Sequence, residues 1–382
     1  MDHEEYTTLV AALRSVPDPR KARGQRYPWA MLLTLIAAAL ASGQPHGRAI
    51  GQWVHEHADA LGDVLAGAPG RIPSEATLRR ALQAVDVVAL DAGIAALWPA
   101  TNQPVTAESA GTLVGVAIDG KAVRGVRAHG RVIHLVSVVR HDGRVLAQAA
   151  VADKTNEITA APRLLADQPL QDRVVTMDAL LTQRALARQI RQQGGHYLMA
   201  VKDNQPTLLD AIRTLFTVPP WLPHEREAEV WQTQTVDKGH GRVETRTLLA
   251  STTLNGYLRW PALGQVLQRT CRRVHLATGE VTEDTSYAIT SLTPQQASPT
   301  VLERVWRGHW TIENRVHYVR DVAVGEDATR AWVGNTAHAL ASLRNALLML
   351  LRAAGWHRIP DALRHYGARV ERALTLIGAR PA

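Results

Sequence analysis

"LVGVAIDG", residues 113–120, and "RVVTMDAL", residues 173–180, are apolar runs that reach an aspartate, Asp119 in the first and Asp178 in the second. Short, nearly continuous apolar runs rich in β-branched residues read as strands buried on both faces. Between them, "RVIHLVSVVRHDGRVLAQAAV" (131–151) reads as a hairpin turning at Asp142-Gly143, and "NEITAAPRLLADQ" (156–168) suits a helix. After them come a helix with a glycine stop, "TQRALARQIRQQGG" (182–195), and another buried strand, "HYLMAVK" (196–202). Strands followed by alternating strand and helix predict a mixed α/β sheet covered by helices on both faces.

The flanks follow other patterns. Residues 1–100 read as a helical N-terminal domain. Within it, "RAIGQWVHEHADALGDVL" (48–65) has a helix-like period, and "RIPSEATLRRALQAV" (71–85) offers Ser74 as an N-cap with Leu78, Ala81 and Leu82 on one face. These two helices, the second carrying Arg79 and Arg80, form either a helix-turn-helix or an ordinary helical pair. "MLLTLIAAALASG" (31–43) follows the basic cluster Arg20, Lys21, Arg23 and Arg26 and mimics a signal peptide. It lies too far in and is too short to span a bilayer, so a buried helix is expected. A linker is expected at 98–111, and the α/β sheet begins in 111–218. Residues 219–297 read as a β-rich insertion, with strands at "GRVETRTLLAST", "GQVLQRTCRRVHL" and "EDTSYAITSL". Residues 298–382 return to helix at "SPTVLERVWRGHWTIENRVHYVRDV" and "GNTAHALASLRNALLMLLRAAG".

Composition narrows the partners. The chain has 382 residues, 46% hydrophobic and 20% charged, which is globular. Its single cysteine, Cys271, excludes an intrachain disulfide and a cysteine-based zinc cluster, and fits a reducing cytoplasm. A formal net charge of +8 favours a polyanionic partner, most simply nucleic acid.

Asp119 and Asp178 fall where an open α/β sheet projects its ligand groups, at the carboxyl ends of strands. One such aspartate commonly caps a turn. Two on different strands of one sheet suit a hard divalent cation. "RGHWTIENRVHY" (307–318) adds His309, Glu313 and His317 at i, i+4 and i+8, one helical face. These three span two turns, too far to converge easily on one zinc ion. A solvated face, or one member of a dispersed carboxylate set, remains.

The ordered motifs "AIDGKAVRG", "DKTNEI", "VVTMDAL", "GGHYLMAVKDNQ", "HGRVETR" and "RGHWTIENRVHYVRDV…ED…R…GN" resemble the H-repeat-associated family of bacterial insertion-sequence transposases. "DPRKARGQRYPWAMLL" and "GRAIGQWV" resemble that family's amino-terminal region. The resemblance implies an RNase H-like mixed sheet, with the β-rich insertion before the last catalytic helix. It further implies an Asp-Asp-Glu catalytic and metal-binding set, carried here by Asp119, Asp178 and Glu313. These would hold Mg²⁺, with Mn²⁺ able to substitute, and drive strand cleavage at element ends followed by strand transfer. The partner is double-stranded DNA, element ends and target alike, in the nucleoid, and a homodimer on DNA is one assembly it admits. The wider group's Tyr-x2-Arg-x3-Glu-x6-Lys signature falls on Trp306, His309, Glu313 and Arg320, three of them substitutions. His309 and Arg320 are thereby candidate phosphate contacts, with Lys121, Arg124 and Lys202 beyond the strand ends as others; Arg79 and Arg80 would contact DNA from the N-terminal domain. Two rivals stay open: a catalytically silent DNA-binding protein derived from such an enzyme, and a carboxylate-pair glycoside hydrolase, which leaves the basic balance unexplained.

Overall fold

A helix that is apolar all round must be wrapped on every side, and "WAMLLTLIAAALA" is such a helix. In a computed structural model describing residues 8–66, 71–97, 113–123, 133–151, 157–217, 229–327 and 333–380, it is α2 (Trp29–Ala41). Around it stand α1 (Leu9–Arg14), α3 (Gly47–Glu56), α4 (Gly62–Leu65), α5 (Glu75–Ala84) and α6 (Val87–Ala95). Ser74 caps α5 by accepting the Thr77 N–H, and Leu78, Ala81 and Leu82 are the buried face of that helix. No described helix is long and apolar enough to cross a membrane.

The central sheet comprises β1 (Val114–Val123), β2 (Ile133–Arg140), β3 (Val145–Val151), β4 (Arg173–Met177), β5 (His196–Val201), β6 (Val230–Gly239), β7 (Arg242–Ser251), β8 (Gln265–His275) and β9 (Val281–Thr290). Its order is β3-β2-β1-β4-β5-β9-β8-β7-β6. The β1–β4 and β4–β5 pairings are parallel and all others antiparallel. The hairpin turns as expected, with Gly143 at φ +92°. The segment read as an insertion extends this same sheet, because β9 pairs with β5.

Helices cover both faces, as period-2 alternation on β1 requires. Val116 and Ile118 face a core shared with α7 (Glu157–Ala166), α8 (Arg184–Gln192) and α9 (Pro206–Thr217). Ala117 faces the other way, against Ile312 and Val316. That second cover is α10 (Pro299–Gly308), a π-helical turn at Ile312–His317, and α11 (Tyr318–Val322). The expected single helix across 298–322 is therefore interrupted at Glu313. The chain closes with α12 (Thr336–Ala353), α13 (Ile359–Gly367) and α14 (Val370–Ile377).

Residues 1–100 and 298–382 were expected in different domains, yet their apolar residues form one core. Leu340, Leu343, Leu347, Leu374 and Ile377 pack with Leu32, Leu35 and Ile36. The reason is the all-round apolar surface of α2, which its own neighbours cannot cover.

A buried charge network fastens this helical body to the sheet. Glu326 has no exposed surface and receives Arg320 at 2.7 Å and Arg344 at 3.4 Å. Burial pushes the Glu326 carboxyl up, but the two guanidinium charges outweigh it and hold it below its usual value. Arg320 also donates to Gln148 of β3 and Asn345 of α12, and Arg344 to the Pro45 carbonyl. Lys121 of β1 pairs with Asp321 and stands 4.0 Å from Glu326. Glu326 is the centre of this network.

Removing one member of a buried ion pair leaves the others charged without compensation, at a cost of about 3–5 kcal/mol. Glu326→Gln should lower unfolding stability by that order in urea titrations. Arg79→Ala, at an exposed site paired among the described residues along its own helix with Glu75, should cost under about 0.5 kcal/mol. A Glu326→Gln loss below about 1 kcal/mol would contradict the assignment.

Candidate active site

Parallel pairing of β1 with β4 sets Ile118 beside Met177, so the residues that follow, Asp119 and Asp178, come side by side. Asp178 lies just past the end of β4, as read from sequence. Asp119 does not end its strand: β1 runs on to Val123, paired there only with β2. The two aspartates and Glu313, which enters from the π-turn, line one cavity of about 540 Å³. π-turns inside α-helices recur at functional sites because they re-aim side chains. Glu313 is 52% exposed toward solvent.

The electrostatics are unbalanced on the carboxylate side. Burial, then the charges of Asp178, Glu157 and Glu313, push the Asp119 carboxyl up to about 7 against a hydrogen bond from the Gly120 N–H. Glu157, at the start of α7, packs directly on Gly120, where a Cβ would fall 2.1 Å from its oxygen. A carboxylate cluster that resists ionisation suits a divalent cation, whose charge would remove the repulsion. One donor atom from each of Asp119, Glu313 and His317 lies within 4.8 Å of the others, a spacing that one ion can bridge. Asp178 lines the same cavity but stands outside that group of three.

The basic residues sort differently from the sequence expectation. Lys202 is exposed and lines the cavity. Lys121 does not reach out to phosphate: it is buried and paired with Asp321. Arg320 is likewise corrected, since its guanidinium is wholly buried against Glu326. Arg124 lies outside the described residues. Arg79 and Arg80 are exposed on α5 and do not line the cavity. Arg20 of the basic cluster pairs with Asp18 and stacks on Trp29.

His309 lines the cavity as a neutral ring, its basicity lowered by burial despite the nearby Asp178 charge. Its Nδ1 lies 3.2 Å from the Thr176 hydroxyl, which also contacts His141 Nε2 at 3.1 Å and the Val116 carbonyl at 3.3 Å. The carbonyl only accepts, and a hydroxyl has one proton to give. All three contacts are hydrogen bonds only if both histidines donate to Thr176. His309 then presents an Nε2 lone pair, not the donor that the expected phosphate contact needs. Gly115 and Gly308 make room for His141, whose Nδ1 would sit about 2 Å from a Cβ at either position.

The sequence reading missed several wall residues. Arg269 of β8 lies over Trp306, 4.3 Å from the ring centre, and Arg213 of α9 lies over Tyr287 at 5.6 Å; all four line the cavity. Arg269 sits in an otherwise ordinary strand pattern, with no local signal. His317, singled out in the sequence on one face with Glu313, is 2% exposed, so that face is not a solvated one at this position.

A family described as "Transposase DDE domain" matches residues 110–350, and one described as "DDE_Tnp_1-associated" matches residues 10–97. A protein named "Putative transposase YncI" from Escherichia coli O157:H7 is 30% identical over 356 residues, 90% of this chain and 87% of its own. One named "H repeat-associated putative transposase YhhI" from Escherichia coli K12 is 26% identical over 362 residues, 91% of each chain. A piggyBac transposase chain, solved in a synaptic complex with hairpin DNA, aligns over 98% of this chain and 78% of its own, with 9% identity and a TM-score of 0.41, too low to bear on the fold.

The Asp119 carboxyl sets a pH dependence. The folded, cation-free protein keeps this proton up to about pH 7, whereas an unperturbed aspartate releases it near 3.8. The folded state holds the extra proton across that window, so stability should fall as pH rises through it. A bound divalent cation replaces the proton. Mg²⁺ or Mn²⁺ should therefore raise the melting temperature more at pH 8 than at pH 6, and Asp119→Asn should flatten both effects in thermal melts. Equal cation shifts at the two pH values would contradict this.

Proposed function

Because the chain belongs to the Transposase DDE domain family, we propose that it cleaves DNA strands at the ends of an insertion sequence and joins them to target DNA, using Mg²⁺ or Mn²⁺. The observation that carries this reading is the convergence of Asp119, Asp178 and Glu313 on one cavity whose walls also hold Lys202, Arg213 and Arg269. Strand order β3-β2-β1-β4-β5, with only β1–β4 and β4–β5 parallel, supports an RNase H-like description of the catalytic half of the sheet.

The residues divide the work. Asp119, Asp178 and Glu313 would hold the cation. When bound, Mg²⁺ polarises the phosphodiester and makes a water or 3′-hydroxyl nucleophilic near neutral pH. Lys202 and the stacked Arg213 and Arg269 present positive charge to the DNA backbone, neutralising phosphate near the carboxylates. The aromatic supports under the two arginines limit their motion, so the charge is positioned before DNA arrives. The exposed Arg79 and Arg80 supply a second basic surface on the helical body.

Asp119→Asn, Asp178→Asn and Glu313→Gln should each abolish nicking of an oligonucleotide carrying the element's ends. Folding and salt-sensitive DNA binding should remain, because each substitution keeps the size of the side chain and removes only its charge. Ca²⁺ should permit binding with little turnover, since its looser coordination places reacting atoms poorly. Full cleavage in excess EDTA, or wild-type nicking by Glu313→Gln, would overturn the mechanism. A folded, DNA-binding wild type that never nicks would favour the catalytically silent alternative.

A further inference from the structure

We propose that His317 is a direct ligand of the divalent cation, together with Asp119 and Glu313. The inference rests on the metal reading above and adds a nitrogen donor to a site expected to be all oxygen.

The argument begins with distance. His317 Nδ1 lies 3.3 Å from Glu313 Oε2, and one nitrogen of this ring is within 4.8 Å of both an Asp119 and a Glu313 oxygen. Two ligands at right angles about an ion with bonds near 2.1 Å have donor atoms about 3 Å apart. The Nδ1–Oε2 separation thus serves equally for a proton or for an ion held between them.

The ring is 2% exposed, and its other nitrogen, Nε2, is buried without a hydrogen-bond partner. Leaving such an atom unpaired costs free energy in any folded protein. Among the described residues, the side chain is held by a hydrogen bond only through Glu313, itself a carboxylate of the site. Coordination through Nδ1 displaces the proton shared with Glu313, and the neutral ring then carries its hydrogen on Nε2.

An imidazole donor should also shift preference toward Mn²⁺ relative to Mg²⁺.

The test uses the full-length, metal-free protein with Mn²⁺ alone, read by electron spin echo envelope modulation. Wild type should show ¹⁴N modulation from a directly bound imidazole. His309→Gln should retain it and His317→Gln should lose it. Asp119-dependent Mn²⁺ binding without ¹⁴N modulation, or modulation that survives in His317→Gln, overturns the ligand assignment and leaves the metal reading standing. Failure of wild type to bind Mn²⁺ at all overturns both. If His317→Gln does not fold, the comparison of wild type with His309→Gln decides: modulation lost in His309→Gln assigns the nitrogen there and rejects His317.

Discussion

Glu326 sits without solvent contact among Arg320, Arg344 and Lys121, and the rest of the molecule depends on that arrangement. Desolvating such groups costs several kcal/mol each, which only close geometry and further hydrogen bonds can offset. The further bonds are what tie the fold together. Through Gln148 and Asn345 the network reaches β3 and α12; through the Pro45 carbonyl it reaches the N-terminal helices; through Lys121 it reaches β1. An apolar contact of similar area would fasten these elements but would let them slide. A bidentate ion pair specifies one register, because guanidinium and carboxylate meet in one plane.

The register matters for the site. Asp119 and Lys121 are two residues apart on β1 and so face the same side of the sheet. Both meet the helical segment that carries Glu313 and Asp321. Cations gather at one end of this contact, around Glu326, and carboxylates at the other, around the cavity. The separation lets the carboxylate end be electrostatically unfavourable by itself, as the raised Asp119 carboxyl indicates, while the segment stays in place. Preorganisation of this kind gives an incoming cation a site that need not be assembled on binding.

What was legible in the sequence is what local patterns encode. The apolar runs around Asp119 and Asp178, the Asp142-Gly143 turn, the Ser74 cap and the Leu78–Ala81–Leu82 face all rest on neighbours within one or two turns or strands, and the structure has them. β6 was not read, because "VWQTQTVDKG" is polar and lies at an exposed sheet edge where little is buried. Lys121 and Arg320 looked like surface cations because what encloses them is remote: Lys121 meets Asp321, 200 positions away, and Arg320, besides Glu326 nearby, meets Gln148, 172 positions away. Charge type alone cannot separate a phosphate contact from a buried ion pair. The pairing of terminal helices in one core was hidden for the same reason, since α2 signals only that it must be covered and not by what. Within the site, the aspartates were legible through their strands, while His317 and Arg269 became meaningful only when distant elements met.

The shared core has a consequence for how the two ends of the chain can act. The Asn335 side chain donates to the Val85 carbonyl, His338 meets Asp91 at 2.7 Å, and Arg344 holds the Pro45 carbonyl, so α12 is bonded to the N-terminal helices along much of its length. The same α12 holds Arg320 through Asn345, and Arg320 lies seven residues beyond Glu313. A force applied to the N-terminal helices therefore passes through hydrogen-bonded, buried contacts to the segment that carries the glutamate, with no described flexible connection between. Linkers transmit position poorly, whereas packed elements with fixed register transmit it well. If Arg79 and Arg80 engage DNA, the orientation they impose on the duplex is communicated to the cavity by a single rigid frame.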